Sequence, residues 1–218
     1  PGFPAGSVAV HDGTAAFASR GLVLSFFGKS SHASQPENGH NPARAISKLI
    51  IDIPELIARE DHRGIVMATV VCVRIGEEAF GTNAGFGQLM LTIRAEFESE
   101  LDALDTEICA RARAYARQDG ITNVEVQYRD SFPETRNTPD AVAAVRKARL
   151  ECGLPEARWD EPFRSSEDFG CYTKLTSGAL FYIGCGTRHA KLHTREYDFN
   201  DEIIEPAVDM MFRLAQDA

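Results

Sequence analysis

Residues 89–97 constrain the fold of this chain most strongly. Leu89, Leu91, Ile93, Ala95 and Phe97 alternate with Met90, Thr92, Arg94 and Glu96. Side chains on a strand point to opposite faces in turn, so this stretch reads as a strand with one buried and one polar face. Such a strand needs partners beside it and a cover for its apolar face, and the flanking sequence offers both. Residues 21–27 form a second strand with Leu22, Leu24 and Phe26 on one face. Residues 65–75 are rich in β-branched side chains and read as a third, joined to the first by the glycine-rich connection 76–87. Val124, Val126 and Tyr128 mark a fourth.

Two helices lie between these strands. Asn41 is the expected N-cap and Pro42 the first helical residue of one, with Ile46, Leu49, Ile50, Ile53, Leu56 and Ile57 at helical spacing. Pro54 predicts a kink in it. Leu101, Leu104, Ile108, Ala112 and Tyr115 mark the other, which should stop near Gly120. The order β-α-β-β-α-β over residues 20–130 predicts a ferredoxin-like unit with both helices on one sheet face.

The ends of the chain follow a different pattern. Val8 and Val10 suggest a short strand before a turn at Asp12-Gly13. Thr138-Pro139 opens a helix through Val142, Val145 and Ala148, and Ser165 or Ser166 is the expected cap of a short helix carrying Phe169 and Tyr172. Residues 179–183 form an apolar strand. Asn200 or Asp201 caps a last helix with Ile203, Ile204, Ala207, Met211 and Leu214 on one stripe. The expected architecture is α/β (α+β): a βαββαβ domain, 20–130, inserted in a partial α/β body made of 1–19 and 131–218.

Bulk properties exclude several roles. A hydrophobic content of 44% and a charged content of 25% are enough for ordinary packed cores. The net charge of -9 argues against binding nucleic acid or an anionic membrane. No apolar run approaches the roughly 20 residues that span a bilayer. Cys72, Cys109, Cys152, Cys171 and Cys185 are odd in number and scattered, without a CxxC pair. They read as reduced thiols of a cytoplasmic protein.

Three segments carry the chemistry: Gly28-Lys29-Ser30-Ser31-His32-Ala33-Ser34-Gln35-Pro36, Ser166-Glu167-Asp168-Phe169, and Leu192-His193-Thr194-Arg195-Glu196-Tyr197-Asp198. In this order they resemble the M20 family of metallopeptidases and amidohydrolases, especially the branch that hydrolyses N-acyl amino acids. The resemblance implies a zinc-peptidase-like catalytic body, an inserted dimerisation domain, and two divalent ions (Zn, Mn or Co) that activate water and polarise the amide carbonyl. It implies a homodimer through the inserted domain, acting on a small-molecule amide.

The same resemblance implies residue roles, each beside a plainer reading. His32 is a catalytic group reaching from the inserted domain into a partner subunit's site, or a solvent-facing loop histidine. His193 is a metal ligand, or a surface histidine. Glu167 orients the His193 side of the metal site, or its segment stabilises a helix start. Arg94 binds the substrate carboxylate through its guanidinium fork, or is an exposed strand arginine. Asn83 is the nearest candidate for the family's carboxylate-binding asparagine, at a shorter spacing before Arg94 and with no Ile-Pro after it.

Two further motifs lead nowhere. Glu77-Glu78 resembles the family's paired glutamates but falls in the hairpin connection. Gly28-Lys29-Ser30 has Val23 where a phosphate-binding loop needs glycine. The opening Pro1-Gly2-Phe3-Pro4-Ala5-Gly6 resembles the stretch that follows the family's upstream metal ligands. The expectation is therefore a C-terminal fragment, inactive alone, lacking most metal ligands. The alternative reading is a non-catalytic dimerising or small-molecule-binding module.

Overall fold

The computed structural model describes residues 2–188, 190, 192 and 194–216. In chain order its elements begin with β1 (Val8–Val10), β2 (Gly13–Ala16), β3 (Ala18–Phe27), β4 (Ser31–His32) and α1 (Ala43–Ile57). Next come β5 (Val66–Ile75), β6 (Thr82–Asn83), β7 (Phe86–Ala95), α2 (Glu98–Gln118) and β8 (Asn123–Phe132). The last are β9 (Thr135–Asn137), α3 (Pro139–Glu151), α4 (Gly170–Thr173), β10 (Phe181–Ile183) and α5 (Ile204–Gln216). The chain divides into two compact units, one of Phe17–Pro133 and one of Pro1–Ala16 with Glu134–Ala218.

In the unit Phe17–Pro133 the sheet order is β5-β7-β3-β8, with every neighbouring pair antiparallel. With two helices in a βαββαβ order this is the split-βαβ arrangement. The register places Leu22 opposite Leu91 and Leu24 opposite Leu89. These residues, with Phe26 and Ile93, are sealed beneath Ile46, Leu49, Ile53 and Leu56 of α1 and Leu101, Leu104, Ile108 and Ala112 of α2. Each such leucine or isoleucine contributes about 1.5–3 kcal/mol by leaving water. Met90, Thr92 and Arg94 are half-buried on the other face.

One detail of α1 differs from expectation. The helix begins at Ala43 with Pro42 as its N-cap residue. Asn41 still serves the first turn, because its Oδ1 accepts the Ala43 N–H at 2.8 Å. Helix geometry continues through Pro54 to Ile57. Pro54 is exposed, so its ring lies on the solvent side of the last turns. Arg20 of β3 clamps α2, donating to Asp105 at 2.6 Å and Asp102 at 2.9 Å.

In the other unit β1 pairs with β10 and β2 with β9, both antiparallel. Val8, Val10, Val142, Val145, Ala148 and Met210 form its core. Asn137 stitches the strands together: its Nδ2 donates to the His11 and Leu180 carbonyls and its Oδ1 accepts the Leu180 N–H. Asn200 caps the 3-10 turn Asp201–Ile203 that leads into α5, accepting the Glu202 N–H at 3.1 Å. The short helix α4 has Phe169 as its N-cap, without a side-chain cap. The expected cap at Ser165 or Ser166 is therefore corrected: the Asp168 carbonyl takes the Cys171 N–H instead. All five cysteines are free thiols. Among the described residues no helix is long and apolar enough to cross a membrane.

Candidate functional site

The His32 segment is positioned by two loops folded onto each other. After β3 the chain turns at Gly28, whose N–H donates to the Gly85 carbonyl at 2.7 Å. Lys29 and His40 exchange backbone bonds across the base of the loop, at 3.1 and 2.8 Å. β4 then pairs with β6, so Ser31 faces Asn83 and His32 faces Thr82. This packing is close enough to require glycine. A Cβ on Gly85 would overlap the Ser30 backbone, and one on Gly28 would overlap the His40 carbonyl.

His32 is exposed, and one side of its ring is fixed. Its Nδ1 accepts the Ser34 backbone N–H at 3.1 Å and lies 2.7 Å from the Ser34 hydroxyl. A backbone N–H can only donate, so Nδ1 carries no proton and the neutral ring bears its hydrogen on Nε2. The Ser34 hydroxyl is then a second donor to Nδ1. The outcome is an Nε2–H aimed away from the anchoring loop. Such a donor can bind an oxygen on which negative charge develops. Ser34 was not singled out in the sequence, although a serine two residues beyond a histidine is a local signal for this bond.

Asn83 comes next to His32, as the β4–β6 ladder requires, but its amide is engaged internally. Nδ2 donates to the Ser31 hydroxyl at 3.1 Å, with the Pro36 carbonyl at 3.4 Å. Its Oδ1 accepts from Asn41 Nδ2 at 2.7 Å. Through Asn41 this chain of bonds continues to the first turn of α1. In this unit Asn83 braces the His32 strand against the helix.

Arg94 lies elsewhere on the sheet. It sits opposite Ser19 and Met67, near the C-terminal end of β7. His32 and Asn83 lie beyond the Phe86 end. At about 3.3 Å per residue, Arg94 is roughly 26 Å along the strand from Phe86. The unit therefore brings His32 and Asn83 together and keeps Arg94 apart from them.

In the second unit Glu167 is exposed, two residues before the Phe169 cap of α4. It lies within electrostatic reach of Tyr182. Burial, and then the Glu167 carboxylate, push the Tyr182 hydroxyl up to about 12. Tyr182 packs edge-on against Trp159 and Phe163, with ring centroids 5.2 and 5.1 Å away. His193 lies outside the described residues. Among the described residues no group of three or more His, Cys, Asp or Glu side chains could hold a metal ion.

No family model matches the chain. It is 26% identical over 219 residues to an N-acetyldiaminopimelate deacetylase of Bacillus licheniformis, covering 97% of this chain and 56% of that protein. It is 22% identical over 195 residues to a hippurate hydrolase of Campylobacter jejuni, covering 88% of this chain and 50% of that protein. Among solved structures it matches an aminohydrolase from methicillin-resistant Staphylococcus aureus with a TM-score of 0.86 at 19% identity, over 99% of this chain and 56% of that one. It also matches a Bacillus subtilis protein described as a dinuclear metal-binding peptidase from the M20 family, with a TM-score of 0.78 at 16% identity, over 99% and 54%. The chain thus spans about half the length of the curated relatives it matches.

Proposed function

We propose that the chain is part of an M20-type, metal-dependent enzyme that hydrolyses an N-acyl amino acid or a similar amide, a reading supported by its similarity to a deacetylase and to a peptidase of that family. The single observation that carries this reading is the anchored ring of His32, with Nδ1 held by Ser34 and Nε2–H left to donate. In the proposed reaction that donor binds the amide oxygen and stabilises the charge it gains as water attacks. His32 performs this role in the active site of a partner subunit. Arg94 takes the substrate carboxylate, and His193, with Glu167 to orient it, belongs to a site for two divalent ions (Zn, Mn or Co). The 218-residue chain alone is inactive. The free thiols support a reducing, cytoplasmic setting.

The homodimer forms through the unit Phe17–Pro133. Its edge strand β5 has one neighbour in the sheet and exposes Val70, Val71 and Val73. An unpaired strand edge with apolar side chains is a surface that a second copy can extend.

The test is hydrolysis of N-acyl amino acids by the full-length protein supplied with each metal, followed by His32→Ala. Loss of one oxyanion donor lowers kcat by about 100-fold or more, with metal content and dimer mass unchanged. Loss of metal in His32→Ala would show that its role is ligation. Failure of the full-length protein to hydrolyse any N-acyl amino acid would favour the non-catalytic dimerising or binding module.

A further inference from the structure

The turn beside His32 carries another side chain. β6 is entered through residues 79–82, a turn closed by the Thr82 N–H donating to the Ala79 carbonyl at 3.1 Å. Phe80 stands at its first corner and is 98% exposed. Turn corners favour Gly, Pro, Asn, Asp and Ser. A phenylalanine wholly in water gives the isolated fold nothing, since its apolar area is not removed from solvent.

The turn is nevertheless braced. The Gly81 carbonyl accepts the Ala33 N–H at 2.9 Å, and the Ala79 N–H donates to the Glu77 carbonyl at 2.8 Å. Thr82, two residues beyond Phe80, is the cross-strand partner of His32. The ring and the imidazole are thus carried by one bonded lobe, with Phe80 two residues from the cross-strand partner of His32. Exposed Glu77 and Glu78 precede it on the same loop, and their charge disfavours an anionic group there.

We propose that Phe80 is a specificity-determining residue. Its ring covers the uncharged, apolar acyl group, aromatic or long-chain, of the substrate whose amide oxygen His32 binds. This inference rests on the His32 role given above and adds the acyl class. An acetyl group offers little area for the ring to cover, whereas a benzoyl or octanoyl group offers much.

The experiment compares Phe80→Ala and Phe80→Leu with wild type in the full-length enzyme, on N-acetyl, N-octanoyl and N-benzoyl derivatives of one amino acid. In Phe80→Ala, kcat/KM for the benzoyl and octanoyl substrates falls about tenfold or more, while the acetyl substrate changes by less than about twofold. Phe80→Leu recovers much of the octanoyl rate. An equal change on all three substrates, or none, overturns the inference. So does a dissociated dimer by light scattering, which would make Phe80 a subunit contact. Inactivity of the wild type, or full turnover by His32→Ala, removes the underlying reading and this inference with it. That failure is reported by proteins other than the Phe80 variants, so the two are distinguishable.

Discussion

Asn83 donates its side-chain N–H to the hydroxyl of Ser31, 3.1 Å away, on the two-residue strand that also carries His32. The opposite end of the same amide accepts from Asn41. An asparagine bonded at both ends holds the loop. Asn83→Ala removes the partner of the Asn41 side-chain N–H and one partner of the Ser31 hydroxyl, and is expected to destabilise the protein by about 1–3 kcal/mol. Turnover should fall for amides with and without an α-carboxylate. Thermal melting together with kinetics on such a substrate pair checks this. A loss confined to carboxylate-bearing substrates, with an unchanged melt, would return Asn83 to substrate binding.

Ser34 fixes the His32 ring by two bonds, one from its backbone and one from its hydroxyl. Ser34→Ala removes only the hydroxyl, and one hydrogen bond of about 0.5–1.5 kcal/mol corresponds to a loss of roughly 2- to 13-fold in kcat. Ser34→Pro removes the N–H as well and should cost more. Nitrogen NMR of His32 reads the tautomer directly. The wild type should show the proton on Nε2, and Ser34→Pro should show a mixture of tautomers.

His62 ties the loop after α1 to α2. Its Nε2 lies 2.8 Å from the Leu56 carbonyl and its Nδ1 3.0 Å from the Glu100 carboxylate. Both partners are acceptors, so both ring nitrogens need protons and the charged ring is favoured. The Leu56 carbonyl, and then Glu100 against the opposing effect of burial, hold its pKa above the ordinary histidine value. A raised folded pKa gives stability that is complete below the unfolded value, about 6.5, and lost as pH rises through the folded one. Denaturant midpoints measured from about pH 5.5 to 8.5 should therefore fall with rising pH, and His62→Gln should flatten that dependence. A profile unchanged by His62→Gln would place the titration elsewhere.

The central sheet was legible because residues 89–97 alternate cleanly, and because α1 and α2 repeat their apolar residues at helical spacing. Four short strands, β2, β4, β6 and β9, were not. A strand of two to four residues holds too few side chains to declare a period. The pairing of β4 with β6 is the one that sets His32, so the neighbourhood of the candidate site became visible only with the tertiary fold. Asn83 shows the same limit. Its place near Arg94 in sequence suggested a shared carboxylate, whereas the extended strand between them carries the two apart. In α5 and the turn that leads into it, the expected stripe holds at Ile203, which is buried, and at Leu214, which packs against the core, but it fails at Ile204 and Met211. Met210 is buried while Ile204 and Met211 are exposed. Adjacent methionines let apolar pattern fit either rotation of the helix.

The register that sets Ser19 against Phe132 has a consequence for how such chains change over generations. The segment Phe17–Pro133 begins and finishes on neighbouring strands, whose backbones lie about 4.8 Å apart. To the surrounding polypeptide this whole layered guest occupies no more span than a tight surface bend. A genome could lengthen it or trade it for another of its kind and rejoin the host backbone with a few residues.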